Sequence, residues 1–230
     1  MLVLSRRPRE SITIGDNIVV TVLAVNDGQV RLGITAPHHV QVLREETYQA
    51  IQEENHAAAR GLRHWGQLER APAAWWEKKQ QDNLTGSLQG SEMQQKTAAS
   101  CLMSAGQEFF FPEGLIGLAT YRRFVLTRYQ LKHQVPYLLL QAQEEHLAFP
   151  LLSPQWLTQD YPLSVPVEVL TKLGAASLAD VVVLVMLTLR EQQEETSLNL
   201  QGPLLLSPVS RLGLQLVAED HPVRFPLFAG

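Results

Sequence analysis

Residues 11–35, SITIGDNIVVTVLAVNDGQVRLGIT, decide the fold of the first part of the chain. Three runs rich in Ile, Val and Thr are separated by Gly15-Asp16-Asn17 and by Asn26-Asp27-Gly28, which have the composition of tight turns. Two further β-rich runs flank this stretch, MLVLS at residues 1–5 and HVQVL at residues 39–43. The pattern predicts five short strands in a very small sheet.

A sheet of this size is a poor monomer, because a chain this short hides only about 60% of its surface when it folds alone. We therefore expect two copies to exchange strands, with the first strand of one beside the last strand of the other. Arg6 and Arg7 end the first strand and Arg44 follows the last, so the exchange would gather all three into a local basic patch. Arginine binds phosphates and guanine edges through its planar fork, although arginines at a strand end also serve simply as a solvated edge that deters aggregation.

The stretch from Arg44 to about Arg60 predicts a helix, because it is rich in Glu, Gln and Ala and contains neither Pro nor Gly. One stripe of this helix, with spacings of three and four residues, is apolar except for one amide; it consists of Tyr48, Ile51, Asn55, Ala58 and Leu62. A polar residue in such a stripe lowers stability and can fix the register and identity of a partner. The same spacing also fits a helix that stands in solvent with Asn55 hydrated.

Residues 61–92 look like a connector, and the last dozen have the composition of a flexible linker. Three of the four tryptophans, Trp65, Trp75 and Trp76, lie here, whereas featureless linkers are poor in aromatic residues. We expect the part up to Lys79 to dock on another surface, and a partly disordered tail is the alternative.

From Met93 onward the sequence again predicts strands, including RRFVLTRYQ, YLLLQAQ, LAFPLL, VVVLVMLTL, GPLLLS and LGLQLVA. Regular strands separated by turn residues are typical of a β-barrel or sandwich. One short helix is expected near VPVEVLTKLGA, where Ser164, Pro166 and Glu168 form a start signal and Gly174 a stop.

The predicted fold class is therefore mainly β. A small five-stranded intertwined dimer domain with a C-terminal helix occupies residues 1–60, the extension and linker residues 61–92, and a β-barrel-like domain with one short helix residues 93–230.

Composition limits the function classes. A formal charge of −4 excludes a bulk polycation, so a nucleic-acid site must be local. The lone Cys101 excludes an intrachain disulfide framework, and we expect it to be a buried small apolar side chain. The longest apolar run starts at Val181 and has about half the length that spans a bilayer. Since no signal-peptide pattern is present either, we expect a cytoplasmic protein without membrane contact.

No short motif of nucleotide binding, serine hydrolysis or zinc proteolysis occurs in the chain. His38 and His39 would point to opposite faces of a strand and would not easily hold one metal together. The carboxylate pairs Glu45-Glu46, Glu53-Glu54 and Glu144-Glu145 lie in polar stretches and are expected in solvent. We predict a binding protein with no catalytic residue, metal or cofactor.

The segments MLVLSRR, ESITIGD, VRLGITAP and VLREETYQAIQEEN resemble the CsrA/RsmA family of bacterial translational regulators, over about the first 58 residues. The resemblance implies an intertwined homodimer that binds GGA-containing hairpin loops in messenger RNA leaders and represses translation. It places the RNA contacts at Leu4, Ser5, Arg6, Arg7, Val40, Val42 and Arg44. Two positions depart from the family pattern: Arg9 replaces a usual glycine and Leu43 a frequent histidine, so we expect binding to survive with an altered loop preference.

The stretch FFFPEGLIGLATYRRFVL, together with LAFPLLSP, TSLNLQGPLLLSP and HPVRFPL, resembles the FliW family of flagellar assembly factors from about Gly106 onward. Gly114 and Gly117 of its F-P-E-G-x-x-G segment also fit a simple tight turn. The resemblance implies a barrel that binds and antagonises CsrA and also binds flagellin, so that flagellin releases the repressor. It assigns the helix stripe of Tyr48, Ile51, Asn55, Ala58 and Leu62 to the CsrA–FliW interface.

Fusion on one chain favours contact between the two parts, because a flexible tether of this length reaches roughly 30 Å and gives effective concentrations near millimolar. Residues 93–230 carry nine Lys or Arg and twelve Asp or Glu, so this part is acidic by three and would repel phosphate nearby. We expect the two parts to bind each other by default, in cis or across the dimer, and to hold RNA affinity low. Two alternatives stay open: a flagellin-binding chaperone that the CsrA-like part merely dimerises, and an engineered fusion, hinted at by GSLQGSE and the internal Met93.

Overall fold

The computed structural model describes residues 1–37, 40–64, 66, 106–130, 136–143, 147–156 and 161–228, with only the backbone of 129, 130 and 136. These residues form two units, Met1–Arg44 and Glu45–Gly230, which are treated separately below. Several residues about which the sequence makes predictions lie outside the described part of the chain. They are the His38-His39 and Glu144-Glu145 pairs, Cys101, the three connector tryptophans and nearly all of the linker.

The first unit is an antiparallel sheet of three strands, β1 (Ser11–Ile14), β2 (Ile18–Asn26) and β3 (Gln29–Thr35), in the order β1-β2-β3. Asn26 pairs with Gln29, and both Asp27 and Gly28 between them have positive φ angles, of 46° and 80°. Two such residues make a type I′ turn, whose twist matches that of the flanking strands. The turn predicted from Asn26-Asp27-Gly28 is therefore the one that joins β2 to β3.

The five strands expected in this unit are reduced to three in the single chain. Residues 1–5 and 40–43 are not in strands, and Leu2, Val3 and Leu4 are exposed. These segments make local hydrogen bonds in place of strand pairing: the Val40 amide donates to the Pro37 carbonyl at 2.9 Å, and Arg6 Nη1 donates to the Ser5 carbonyl at 3.1 Å. The strand partners that the sequence predicts for them belong to a second copy.

The turn that leads into β1 contains a strained residue. The Glu10 amide donates to the Arg7 carbonyl at 3.0 Å, with Pro8 and Arg9 between them, and Arg9 has a φ of 72°. This is a type II turn, whose third residue is normally glycine, because a β-carbon is crowded there. The Arg9 amide also donates to the Val22 carbonyl at 2.6 Å, so the fold holds the residue in this conformation.

The second unit is built on an antiparallel sheet in the order β10-β9-β8-β7-β6-β5-β4, with β11 beside β9. Its strands are β4 (Gln107–Phe110), β5 (Arg123–Gln130), β6 (Pro136–Ala142), β7 (Ala148–Leu152), β8 (Val182–Thr188), β9 (Ser197–Leu206), β10 (Gly213–Gln215) and β11 (Phe225–Pro226). Its helices are α1 (Glu45–Gly61) and α2 (Val167–Lys172), and the short 3₁₀ segments are Leu62–His64, Pro154–Trp156, Leu178–Asp180 and Gln193–Glu195.

The two ends of this sheet meet, which makes it barrel-like. Phe110, the last residue of β4, pairs with Leu212, and its amide donates to the Arg211 carbonyl at 2.9 Å. Leu212 immediately precedes β10, so the first and last members of the strand order are joined. The mainly β class and the single short helix between strands were both predicted, and Pro166 and Gly174 flank α2 as expected.

The barrel encloses an aromatic core. The rings of Phe111 and Phe124 lie edge to face with their centroids 5.1 Å apart, and Phe149 follows at 6.3 Å from Phe124. Ala58 of α1 belongs to the same buried cluster, and α1 packs against β7, β8 and β9. The structure therefore places the helix that follows Arg44 in the second unit. No helix in the described part of the chain is long and apolar enough to cross a membrane.

Replacing Arg9 with glycine is expected to stabilise the first unit by about 1 kcal/mol, because glycine adopts a positive φ without a β-carbon clash. Hydrogen exchange of the β1 and β2 amides, followed by mass spectrometry on the full chain, should slow by about fivefold. Arg9→Ala is the matched control, since it removes the same charge but keeps the β-carbon. Equal slowing in both variants would show that charge and not backbone strain is responsible.

Candidate functional site

The surface by which α1 docks on the barrel consists of its buried residues, Ile51, Glu54, Asn55, Ala58 and Gly61. They recur at spacings that place them on one broad stripe of the helix. We call this stripe the docking face. Three of the five residues predicted for the interface lie in it, whereas Tyr48 is 38% exposed and Leu62 is half-buried near the end of the helix.

Asn55 forms a closed hydrogen-bond network with the barrel. Its Nδ2 donates to the Ile116 carbonyl and to Gln215 Oε1, both at 2.9 Å, while Gln215 Nε2 donates back to Asn55 Oδ1 at 3.2 Å. Gln215 is held in this orientation because its Oε1 also accepts from the Ile116 amide and its Nε2 also donates to the Gly202 carbonyl. Asn55 is fully buried, so the alternative of a hydrated amide does not apply. A buried amide with all its partners supplied gives the contact its register.

Glu54 corrects one expectation. The Glu53-Glu54 pair was expected in solvent, and this is true of Glu53 but wrong for Glu54, whose side chain is 0% exposed. The reason is helical spacing, since Glu54 lies three residues after Ile51 and four before Ala58. That spacing is visible in the sequence, but the charge of a carboxylate favours solvent for both members of the pair alike.

The barrel supplies partners for both oxygens of the Glu54 carboxylate. Ser197 Oγ donates to Oε1 at 3.1 Å and Arg224 Nε donates to Oε2 at 2.8 Å. Arg190 Nη2 lies 3.5 Å from Oε2 and adds a second positive charge. The hydrogen bond and charge of Glu54 in turn raise the pKa of the Arg224 guanidinium.

Two glycines permit the close approach of α1. A β-carbon on Gly61 would lie 2.7 Å from the Leu189 carbonyl oxygen, and one on Gly117 would overlap the Gln52 side chain of α1. Gly117 has a φ of 77° in a turn that the Leu118 amide closes by donating to the Leu115 carbonyl at 2.8 Å. The second glycine of the F-P-E-G-x-x-G segment therefore provides clearance for the helix as well as the turn.

The residues predicted to bind RNA lie in two segments of the first unit. In the first segment Leu4, Ser5, Arg6 and Arg7 are exposed, and Arg6 Nε donates to the Ser11 carbonyl at 3.1 Å. In the second, Val40 is half-buried while Val42 and Arg44 are exposed. No strand pairing joins the two segments in the described part of the single chain.

The described residues contain no group of three or more His, Cys, Asp or Glu side chains arranged to hold a metal ion.

Comparison with known proteins assigns the two parts of the chain to different families. The model of the global regulator protein family CsrA matches residues 1–53, and the model of the FliW protein family matches residues 92–227. The translational regulator CsrA of Alkaliphilus metalliredigens is 50% identical over 68 residues, which are 30% of this chain and 91% of that protein. The flagellar assembly factor FliW of Caldicellulosiruptor bescii is 28% identical over 144 residues, which are 61% of this chain and 93% of that protein.

Among solved structures, a crystal structure of the flagellar assembly factor FliW is 27% identical, with a TM-score of 0.48, and covers 54% of this chain and 86% of that one. The two family models match opposite ends of the sequence and do not overlap. The chain belongs to both families, with a CsrA translational regulator domain at its N-terminus and a FliW flagellar assembly factor domain at its C-terminus.

Proposed function

We propose that this protein is a messenger RNA-binding translational repressor that carries its own antagonist. The observation that supports this most is the position of α1. The CsrA family match extends to residue 53 and so includes the first half of the helix, yet the helix is buried on the barrel of the FliW part. A helix that begins within the regulator match is thus bound by the FliW part of the same chain, through a satisfied amide network and a buried carboxylate.

The RNA site that we propose comprises Leu4, Ser5, Arg6, Arg7, Val40, Val42 and Arg44, and its ligand is a GGA-containing hairpin loop in a messenger leader. Unpaired bases in such a loop offer their edges to backbone groups of a strand and to arginine side chains. Because the second part of the chain belongs to a family of flagellar assembly factors, we propose the flagellin message as the target. The proposed activity is regulatory and not enzymatic, and we place it in the cytoplasm.

The RNA site would be completed in a homodimer. None of the described residues in 1–44 is buried, and large apolar side chains on the sheet are exposed, including Ile14, Leu23, Val25, Val30, Leu32 and Ile34. Three strands with no covered face do not make a stable unit in water. A second copy of the chain would cover these side chains and pair with the segments 1–5 and 39–43.

Antagonism would follow from the docking of α1, because α1 starts at the residue after Arg44. The barrel, once docked on α1, is therefore attached to the helix that directly follows Arg44, in addition to its covalent link through the connector. Its net negative charge would repel the RNA backbone within a Debye length of about 8 Å. Flagellin, as a ligand of the FliW part, would compete with this contact and restore repression.

The dimer can be tested by the solution mass of the full chain. We expect twice the chain mass of 25.8 kDa in light scattering or sedimentation equilibrium, because the exposed apolar sheet needs a partner. A monomer at micromolar concentration would contradict strand exchange and with it the shared RNA site.

Antagonism can be tested by exchanging Asn55 for Asp in the full chain. A carboxylate there would face two acceptors, the Ile116 carbonyl and Gln215 Oε1, so α1 should undock and the affinity for a GGA hairpin should rise at least about tenfold. Glu53→Gln exchanges the same two chemical groups in the opposite sense on the exposed side of α1 and should leave RNA affinity within about twofold.

Adding Arg44→Ala to the Asn55→Asp chain should then lower RNA affinity by about tenfold or more, as expected for loss of a bidentate contact. If RNA binding is absent from every variant, the chaperone alternative, in which the CsrA part only dimerises the barrel, is the better account. If the wild-type and Asn55→Asp chains bind equally well, the protein is a repressor without self-antagonism.

Docking of α1 in solution can be tested without RNA by Gly61→Ala. In a free helix alanine is more favourable than glycine by about 1 kcal/mol, but in the docked helix its β-carbon would clash with the Leu189 backbone. We therefore expect faster amide exchange in α1. Glu53→Ala, on the exposed side, should have no such effect, and slower exchange in Gly61→Ala would mean that the helix does not dock.

A further inference from the structure

The barrel possesses a receptor for one carboxylate, built from three separate parts of its chain. Ser197 begins β9, Arg190 lies two residues after β8, and Arg224 immediately precedes β11. Their polar atoms lie 3.1, 3.5 and 2.8 Å from the Glu54 carboxylate oxygens. Two cations and a hydroxyl thus converge on a single acid of α1.

Burial in this cluster is unequal. The Glu54 side chain is 0% exposed, whereas those of Arg190 and Arg224 are 33% and 58% exposed. The arginines therefore remain partly hydrated with or without the helix, but Glu54 loses its water when α1 docks. A buried carboxylate without its cations is strongly unfavourable, so α1 should dock less tightly on a barrel that lacks either arginine.

Glu54 and Asn55 are consecutive, and consecutive residues on a helix project about 100° apart. They accordingly contact different walls of the barrel: Glu54 contacts Ser197, Arg190 and Arg224, while Asn55 contacts Ile116 and Gln215. A helix bound in the opposite direction would exchange the positions of the acid and the amide. The two contacts together define both the chemistry and the direction of the helix.

We infer that Glu54 is a specificity-determining residue of the docking face, and that the barrel selects a helix carrying a carboxylate followed directly by a carboxamide. Ile51 and Ala58 contribute apolar burial that many helices offer, and the barrel groups that bind Asn55 would by themselves accept any helix with one buried amide. The carboxylate receptor adds a requirement for charge. This inference rests on the proposed function only in treating docked α1 as the antagonised state.

The test measures hydrogen exchange of the α1 amides in the full chain, by mass spectrometry and without RNA. Glu54→Gln keeps the shape of the side chain and removes its charge, so exchange should accelerate at least about tenfold, as expected for loss of charge-assisted hydrogen bonds. Glu53→Gln is the matched control, because it removes the same charge from the exposed neighbouring residue, and exchange should change less than about twofold. Equal exchange in these two variants would overturn the inference.

A double-mutant cycle separates the specific contact from a general loss of stability. Arg224→Gln alone should accelerate exchange more than Glu54→Gln alone, because it leaves a buried carboxylate with fewer cations. In the double variant exchange should be slower than in Arg224→Gln alone and close to that of Glu54→Gln alone, because removing the carboxylate also removes the buried unpaired charge. Fully multiplicative effects would show that the two residues act independently and would contradict the inference.

The same variants distinguish this inference from the proposed function. If Glu54→Gln accelerates exchange but no docking variant alters RNA affinity, the carboxylate receptor stands and antagonism fails. If Asn55→Asp raises RNA affinity while Glu54→Gln leaves exchange at the control value, antagonism stands and the role of Glu54 fails.

Discussion

The second unit depends on one constraint: two polar side chains of α1 are buried, and the barrel must supply their hydrogen-bond partners. Asn55 and Glu54 lose their hydration on the barrel, and each regains its partners only in one position of the helix. Apolar contacts of Ile51 and Ala58 favour docking but tolerate displacement, because apolar burial has little directionality. A displacement of one turn would leave a buried amide and a buried acid unpaired, which is costly in a medium of low polarity. Polar contacts therefore set the register, and apolar contacts supply the area.

The two units solve the problem of burying apolar surface in different ways. The second has a closed sheet around the rings of Phe111, Phe124 and Phe149, and it adds α1 to the same core. The first has three strands and no buried residue among those described, so large apolar side chains of its sheet stay exposed. The helix that follows the small sheet along the chain is part of the second unit. Under the proposed homodimer, dependence on a partner would be confined to the part of the chain that carries the proposed RNA contacts.

Local features of the fold followed from the sequence, and features that need distant partners did not. The turn at Asp27-Gly28 and the bounds of α2 depend on a few neighbouring residues whose conformational preferences are strong. The joining of Phe110 to Arg211 depends on residues about a hundred positions apart, for which no local pattern exists.

Within the candidate site the same division holds. The spacing of Ile51, Asn55 and Ala58 indicated a single stripe, and the structure buries all three. The burial of Glu54 was missed because a carboxylate is normally hydrated, and only the barrel residues that surround it reverse that preference. Likewise, the sequence does not show that Gly117 lies against Gln52 of α1. A glycine at this position is already expected from the positive φ of its turn, so the need for clearance leaves no separate signal.

Under the proposed function, the free energy of docking sets the strength of antagonism. If RNA binds only the chain with α1 released, the apparent affinity equals the intrinsic affinity multiplied by the released fraction. Each loss of about 1.4 kcal/mol in docking then raises the affinity tenfold, until most chains are released and no further gain is possible. Because Glu54 and Asn55 are adjacent on one rigid helix, the loss of either contact weakens the other, and their effects on RNA affinity should fall short of additive. Linkage also works in reverse, so that RNA, by binding the released chain, must loosen α1 from the barrel by the same factor.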